Sequence, residues 1–201
     1  MRRRTICLIL VLFILAIGVG TIILIGVSSS HPSDSVLIKK FIEHEADFNL
    51  LVKMANDDSR ASSIRLYYVR MENKGAWPPY IYLHESEAWP RSEAELGFFN
   101  QRWDEYRGLF KKLNLDGIDR KHEMSDAIFF TASMIFSPLD GDGDETEVTE
   151  KGYVYSAIGI YNSLTGSLDG VKINRPAIFF KKLNDRDHWY LFYKWSVSKP
   201  E

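Results

Sequence analysis

The chain has 201 residues, of which 45% are hydrophobic and 13% aromatic, and its 25 basic and 27 acidic side chains give a net charge of −2. This apolar content excludes an intrinsically disordered chain. The charges form no polybasic patch, so a nucleic-acid partner is excluded as well. The length suits one globular domain with an appendage.

The first predicted element is a membrane anchor at residues 1–27. Arg2, Arg3 and Arg4 precede an uncharged apolar run of 22 residues, Ile6–Val27. As a helix this run would be about 33 Å long, against about 30 Å for a bilayer core, whereas a secretory signal has only about 7–15 apolar residues. The sequence therefore predicts a retained, single-pass signal anchor with a cytoplasmic N-terminus. Cleavage near Ser30, which would give a secreted protein, is the alternative.

The rest of the chain is predicted to lie outside the cytoplasm, as a polar linker at residues 28–34 and an exported domain at residues 35–201. The anchor holds three arginines and no acid, which leaves 22 basic and 27 acidic residues and a net charge of −5. Cys7, in the anchor, is the only cysteine, so the exported domain can form no disulfide. With no Asn-x-Ser/Thr acceptor, these features favour a protein of the bacterial inner (cytoplasmic) membrane that acts in the cell envelope.

Helical periodicity marks two main helices in the exported domain. Apolar residues recur at steps of three and four over Leu37–Ala55. The second helix begins at Asn100 and places four large side chains on one apolar face: Trp103, Tyr106, Phe110 and Leu113. Between the helices, Ser63–Glu72 is predicted to form one strand and Tyr80–Leu83 a short second one.

The last third of the chain is predicted to consist of strands separated by turn signals. The strands are Ala127–Phe136, Gly152–Tyr161, Ala177–Leu183 and His188–Val197. Short links between them favour an antiparallel meander. The predicted fold class is α+β: an N-terminal transmembrane helix, followed by a domain of about two main helices packed on a curved, mainly antiparallel sheet of four to six strands.

An acidic segment, "DGDGD", is the strongest metal-site candidate. Asp140, Asp142 and Asp144 match the first three ligands of a calcium-binding hand. Glu145 stands where the motif requires glycine, and Lys151 stands where it requires a bidentate glutamate. The three aspartates are therefore only weak metal ligands in a strand-connecting loop, and no cofactor is predicted.

The sequence favours binding over catalysis. It contains no phosphate-binding Gly-Lys loop and no G-x-S-x-G elbow, so no catalytic residue is predicted. Its aromatic strands would suit a concave sheet that holds a small apolar ligand. Trp77 and Trp89, each followed by proline, are candidate contacts for a partner protein. The prediction is a non-catalytic binding module; the alternative is an envelope hydrolase with carboxylate or histidine residues in a sheet-lined cleft.

Two stretches carry a resemblance to a known group of proteins. "WPRSEAELGFFNQRWDEYRGLFKKLNLDGI" (Trp89–Ile118) and "HWYLFYKW" (His188–Trp195) resemble uncharacterised bacterial proteins with an N-terminal membrane anchor or signal. The resemblance covers about half of the exported domain and implies no activity. Helices followed by a curved sheet that ends in Trp-Tyr also resemble the cone-shaped folds of nuclear transport factor 2 and of cystatins, which implies architecture alone.

Overall fold

One antiparallel sheet of eight strands and four helices make up the part of the chain that the structure describes. The structure is a computed structural model, and it describes residues 30–73, 77–85, 87–89, 91–120, 124, 126–138, 146–171, 175–183 and 186–198. The chain divides into two compact units, Met1–His31 and Pro32–Glu201. The fold described below is that of the second unit.

The strand order of the sheet is β3-β2-β1-β4-β5-β6-β8-β7, and every neighbouring pair is antiparallel. The helices are α1 (Asp34–Glu43), α2 (Glu45–Asp57), α3 (Glu93–Leu96) and α4 (Asn100–Leu113). The strands are β1 (Ala61–Arg65), β2 (Tyr68–Glu72), β3 (Tyr80–His84), β4 (Gly117–Arg120), β5 (Ala127–Pro138), β6 (Thr146–Ser156), β7 (Ala177–Lys182) and β8 (Trp189–Ser198).

The helices cover one face of this sheet with aromatic side chains. Phe48 of α2 lies 4.6 Å from Tyr153 of β6, and Phe41 of α1 lies 4.9 Å from Trp189 of β8, measured between ring centroids. Large aromatic groups dominate the apolar area that such a core removes from water. The predicted apolar face of α4 is confirmed, since all four of its side chains are buried: Trp103, Tyr106, Phe110 and Leu113.

The predicted fold class was wrong, because the sheet has eight strands rather than four to six and the described residues form four helices. The segment predicted as one strand, Ser63–Glu72, is a tight hairpin of β1 and β2 that turns at Leu66 and Tyr67. That turn has no glycine, proline or asparagine to mark it. β4 was missed because it has only four residues. The predicted helix Leu37–Ala55 is interrupted at His44, whose φ of −129° and ψ of 22° are not helical.

The predicted membrane anchoring finds no support in the described residues. Among them, no helix has both the length and the apolar character to cross a bilayer. The predicted anchor segment, Ile6–Val27, lies outside the described residues.

The predicted meander was also incorrect in its strand order. β8 lies between β6 and β7, so the chain passes from β6 to the edge of the sheet and then returns. The predicted strand Gly152–Tyr161 is shifted along the chain, because β6 begins at Thr146 and ends at Ser156. The residues that follow β6 form a long connection to β7, and Ile160 in this connection is buried.

A buried network of charges joins the start of α1 to the sheet and to the β6–β7 connection. The Asp34 carboxylate lies 2.9 Å from Lys151 Nζ on β6 and 3.0 Å from Lys181 Nζ on β7, and it accepts a hydrogen bond of 2.9 Å from the Leu168 N–H. The Asp169 carboxylate accepts a hydrogen bond of 2.9 Å from the Asp34 N–H and lies 2.7 Å from Lys151 Nζ. The side chains of Asp34 and Lys151 are only 4% and 3% exposed, so each charge requires its partners.

The network makes a pH-dependent contribution to stability. Burial alone would raise the pKa of Asp34, but the Leu168 N–H and the ammonium groups of Lys151 and Lys181 together lower it from 3.8 to about 2. Since the folded-state pKa is the lower one, this stability is complete above about pH 4 and is lost as the pH falls through 3.8 towards 2. The loss is about 2 kcal/mol. We expect urea unfolding to show this loss in the wild type and not in Asp34→Asn.

Asp187→Asn is the matched control for that measurement. The Asp187 side chain is 89% exposed and lies 3.9 Å from Lys182 Nζ, so its removal should change stability by less than about 0.5 kcal/mol at any pH. An identical dependence of stability on acid pH in the wild type and in Asp34→Asn would contradict the assignment to Asp34.

Strands β5 and β6 leave no room for a side chain at Gly152. The register of β5 shifts between Thr131 and Ser133, which marks a β-bulge, and Gly152 pairs with Thr131 beside it. A Cβ atom on Gly152 would lie 2.1 Å from the Phe130 carbonyl oxygen and 2.9 Å from the Ala132 nitrogen. Both contacts are with backbone, so the sheet itself would have to move.

We therefore expect the substitutions Gly152→Ala and Gly108→Ala to change stability in opposite directions. Gly152→Ala should destabilise the protein by at least about 1–3 kcal/mol, as overpacking does. Gly108 lies exposed in α4 with open space around it, so alanine there should stabilise by about 0.5–1 kcal/mol. Thermal melts of the two variants measure both effects, and a Gly152→Ala melt equal to the wild type would show that the bulge yields without cost.

Candidate ligand-binding site

The sheet face opposite the helices carries a second apolar cluster and a cavity. Adjacent residues on β5 mark the two faces: Phe130 packs in the helix-covered core, and Phe129 packs in the second cluster. The cluster consists of Ala127, Phe129, Val154, Ile160, Phe180, Tyr190 and Phe192. Beside it lies a cavity of about 490 Å³, within the roughly 300–1,000 Å³ typical of small-molecule sites.

The cavity is lined from both halves of the sheet. Its lining residues are Arg70, Arg120, Met124, Phe129, Pro176, Ala177, Ile178, Lys194, Trp195 and Ser196. Arg70 is on β2 and Lys194 is on β8, five positions apart in the strand order. Five steps of about 4.8 Å would separate them by about 24 Å in a flat sheet. The sheet therefore curves around the cavity, and the concave side is the one without helices.

Arg70 is held in place by an irregularity in the neighbouring strand. The register of β1 against β2 shifts between Ala61 and Ser63, which leaves Ser62 as the extra residue of a β-bulge. The buried Ser62 hydroxyl accepts a hydrogen bond of 2.9 Å from Arg70 Nε–H and donates one of 3.1 Å to the Arg70 carbonyl. The Arg70 guanidinium also lies 5.0 Å from the centroid of the Tyr80 ring, a favourable cation–π contact.

The other two cations of the cavity wall already have partners. Lys194 Nζ lies 2.6 Å from the carboxylate of Glu150, whose side chain is 9% exposed. Arg120 donates hydrogen bonds to the Ala55 carbonyl and to the Asn56 side chain at the end of α2. Burial lowers the pKa of Arg120, partly offset by the charges of nearby carboxylates. No described carboxylate lies within ion-pair distance of Arg120.

A second cavity, of about 370 Å³, lies between the β1–β2 turn and α4. It contains the carboxylates of Glu85 and Asp104, and both form ion pairs with Arg107. The side chains of Glu85 and Asp104 are 57% and 65% exposed. Solvated, paired carboxylates lack the desolvation that prepares a catalytic acid, so this cavity offers no acid–base pair.

The structure gives the two predicted tryptophan contacts different surroundings. Trp77 is 90% exposed in the β2–β3 connection. Trp89 is half-buried, with its ring 6.4 Å from those of Phe98 and Trp103. Trp77 thus has the accessibility that a partner contact requires, whereas Trp89 contributes to the core beside α4.

The predicted metal ligands lie outside the described residues: Asp140, Asp142 and Asp144. Within the ranges that are described, no group of three or more histidine, cysteine, aspartate or glutamate side chains could hold a metal ion. The metal-site prediction therefore stays a prediction.

Three residues at the cavity were not predicted from the sequence: Arg70, Ser62 and Lys194. One strand over Ser63–Glu72 would have put Arg65 and Val69 on the same face. The turn at Leu66 and Tyr67 reverses the chain, and Arg70 then lies opposite Ser63. Ser62 and Ser63 lie inside β1, and no glycine marks the bulge there.

Comparisons with known proteins found no match among family models, curated proteins or solved structures. The resemblances to uncharacterised bacterial anchored proteins and to cone-shaped folds accordingly stay predictions.

We expect Trp77 and Trp103 to differ sharply when each is replaced by alanine. Trp103 is 1% exposed and its Nε1–H donates a 2.8 Å hydrogen bond to the Arg65 carbonyl, so Trp103→Ala should cost about 3–5 kcal/mol. Trp77→Ala should leave the melting temperature within a few degrees of the wild type, as surface changes do. Differential scanning calorimetry of the two variants makes the comparison, and an equal loss in both would remove Trp77 as a contact residue.

Proposed function

We propose that the unit Pro32–Glu201 is a binding domain that holds a small ligand in the cavity on the concave face of the sheet, and that it does not transform this ligand. The observation that carries the proposal is the composition of the cavity wall. Apolar and cationic side chains line it, and no aspartate, glutamate or histidine is among its described lining residues. A pocket with an apolar wall and a few polar groups is the usual form of a small-molecule site.

The chemistry of the wall argues against the alternative of a hydrolase. Hydrolysis by acid–base catalysis needs a group that accepts a proton near neutral pH, usually histidine or a carboxylate, within hydrogen-bonding distance of the substrate. Ser196 lines the cavity, but its hydroxyl donates to the Val148 carbonyl and has no described base beside it. The buried carboxylate of Asp34 is committed to two lysines and is closed to solvent.

A second candidate function is the capture of a partner protein by the β2–β3 connection. The 90% exposure of Trp77 favours it, because tryptophan is enriched among the residues that dominate binding energy at protein interfaces. This surface and the cavity are separate features, so the two functions are tested by different variants.

Titration with the neutral fluorescent probe N-phenyl-1-naphthylamine tests the binding proposal. We expect saturable binding by the full chain and a loss of affinity of about tenfold or more in Ser196→Trp, because an indole at this position occupies the cavity that Ser196 lines. The aromatic substitution suits a strand position, so the sheet should tolerate it.

Ser198→Trp is the matched control. Ser198 is two residues further along β8, is exposed and is not a lining residue, so this variant should bind the probe as the wild type does. Equal affinity of Ser196→Trp and Ser198→Trp for the probe would show that the cavity is not the binding site.

A further inference from the structure

We infer that the ligand of this cavity is an amphipathic anion, with a carboxylate head at Arg70 and an apolar body against Met124 and Ile178. The inference rests on the proposed binding function and adds the chemical class of the ligand. It follows from three properties of the wall: the hydrogen bonding of Arg70, the charge balance and the apolar surface.

The hydrogen bonding of Arg70 leaves one side of its guanidinium available. Its Nε–H donates to Ser62 Oγ, and its two terminal nitrogens form no hydrogen bond or ion pair with the described residues. Arg65, Arg102 and Arg107, in contrast, each pair with a carboxylate of the protein. A guanidinium presents two parallel N–H donors that match the two oxygens of a carboxylate.

Arg70 is also oriented before any ligand arrives. The Ser62 hydroxyl fixes Nε on one side, and the Tyr80 ring supports the plane of the guanidinium at 5.0 Å. A side chain already held in its binding conformation loses less conformational entropy when it binds. Ser62 is thus a positioning residue. The β-bulge in β1 places its hydroxyl beside Arg70.

The charge balance of the wall favours an anion. Lys194 is neutralised by Glu150 and the Arg120 guanidinium is hydrogen-bonded to the end of α2, whereas Arg70 has no described carboxylate within ion-pair distance. The cavity is therefore positive inside a chain whose net charge is −2. A cationic ligand would meet uncompensated guanidinium charge, and a neutral ligand would leave the Arg70 donors unpaired on desolvation.

The apolar part of the wall requires an apolar body on the ligand. Met124 precedes β5 and Ile178 lies on β7, and both are half-buried residues that line the cavity and pack against the second apolar cluster. These side chains form a surface that gains free energy from covering alkyl or aryl groups. A small inorganic anion would leave this surface in contact with water, so the head group alone does not account for the site.

Displacement of N-phenyl-1-naphthylamine from the full chain by three eight-carbon compounds tests the inference. Octanoate should compete at least about tenfold more strongly than 1-octanol, and octylammonium more weakly than 1-octanol. In Arg70→Gln the affinity for octanoate should fall about 10- to 100-fold, the range of a charged hydrogen bond, while the affinity for 1-octanol stays unchanged. Arg70→Lys, which keeps the charge and loses the fork, should give an intermediate loss.

Two further variants separate position from charge. Arg91→Gln removes an exposed arginine that does not line the cavity, so octanoate should bind it as it binds the wild type. Ser62→Ala should weaken octanoate binding about 2- to 10-fold, the range of a neutral hydrogen bond, and should leave 1-octanol unaffected. A general loss of structure would weaken both compounds.

The outcomes distinguish this inference from the proposed function. Equal displacement of the probe by the three compounds, together with weakened probe binding in Ser196→Trp, would overturn the anionic ligand class. The binding function would stay intact. A preference for octanoate that survives both Arg70→Gln and Arg70→Lys would overturn the assignment to Arg70. Absence of saturable probe binding in the wild type would overturn the binding function and the ligand class with it.

Discussion

The burial of Lys151 and of its partner Asp34 constrains how both faces of this sheet are covered. Lys151 and Lys181 lie on the helix-side face of β6 and β7, where their partners across β8 are Tyr193 and Leu191. Removal of an ammonium group from water costs several kcal/mol unless carboxylates and hydrogen bonds offset it. The carboxylates come from the first residue of α1 and from the β6–β7 connection. Where the first helix begins is therefore fixed by charge as well as by apolar contact.

The same network shapes the face that has no helices. The β6–β7 connection carries Asp169, which pairs with Lys151, and it also carries Ile160, which is buried in the second apolar cluster. Pro176 at its end lines the cavity. The connection is thus held to the helix-side face by Asp169, and it covers part of the opposite face with Ile160. Residues of one connection therefore contact both the helix-side charges and the cavity.

Local features of the fold could be predicted from the sequence, and pairings between distant segments could not. The apolar face of α4 follows from the helical spacing of Trp103 and Phe110. The hairpin at Leu66 and Tyr67 could not be predicted, because an aliphatic residue followed by an aromatic one is typical of the interior of a strand. β6 was shifted because its first half, Thr146–Glu150, is polar although much of it is buried.

The candidate site could not be predicted from the sequence, for a related reason. The cavity depends on β2 and β8 curving towards each other, and that curvature belongs to the whole sheet. Arg70 and Lys194 are two of 25 basic residues, and no local pattern separates them from those on the surface. The sequence predicted a concave sheet for an apolar ligand and assigned no charge to that surface. Only the pairing of β1 with β2 reveals that Ser62 supports Arg70.

The position of β8 between β6 and β7 has a consequence for how the protein is made on the ribosome. β7 emerges before β8, and among the named strands β8 is its only sheet neighbour. Until β8 has emerged, β7 lacks its neighbouring strand and can bond only through Phe180 to Ser163 and Thr165 among the described residues, while the far edge of β6 is open to other chains. β8, which contributes residues to the cavity wall, also covers these open strand edges when it pairs with β6 and β7. Nascent chains in which β7 has emerged from the ribosome and β8 has not would therefore benefit from a chaperone.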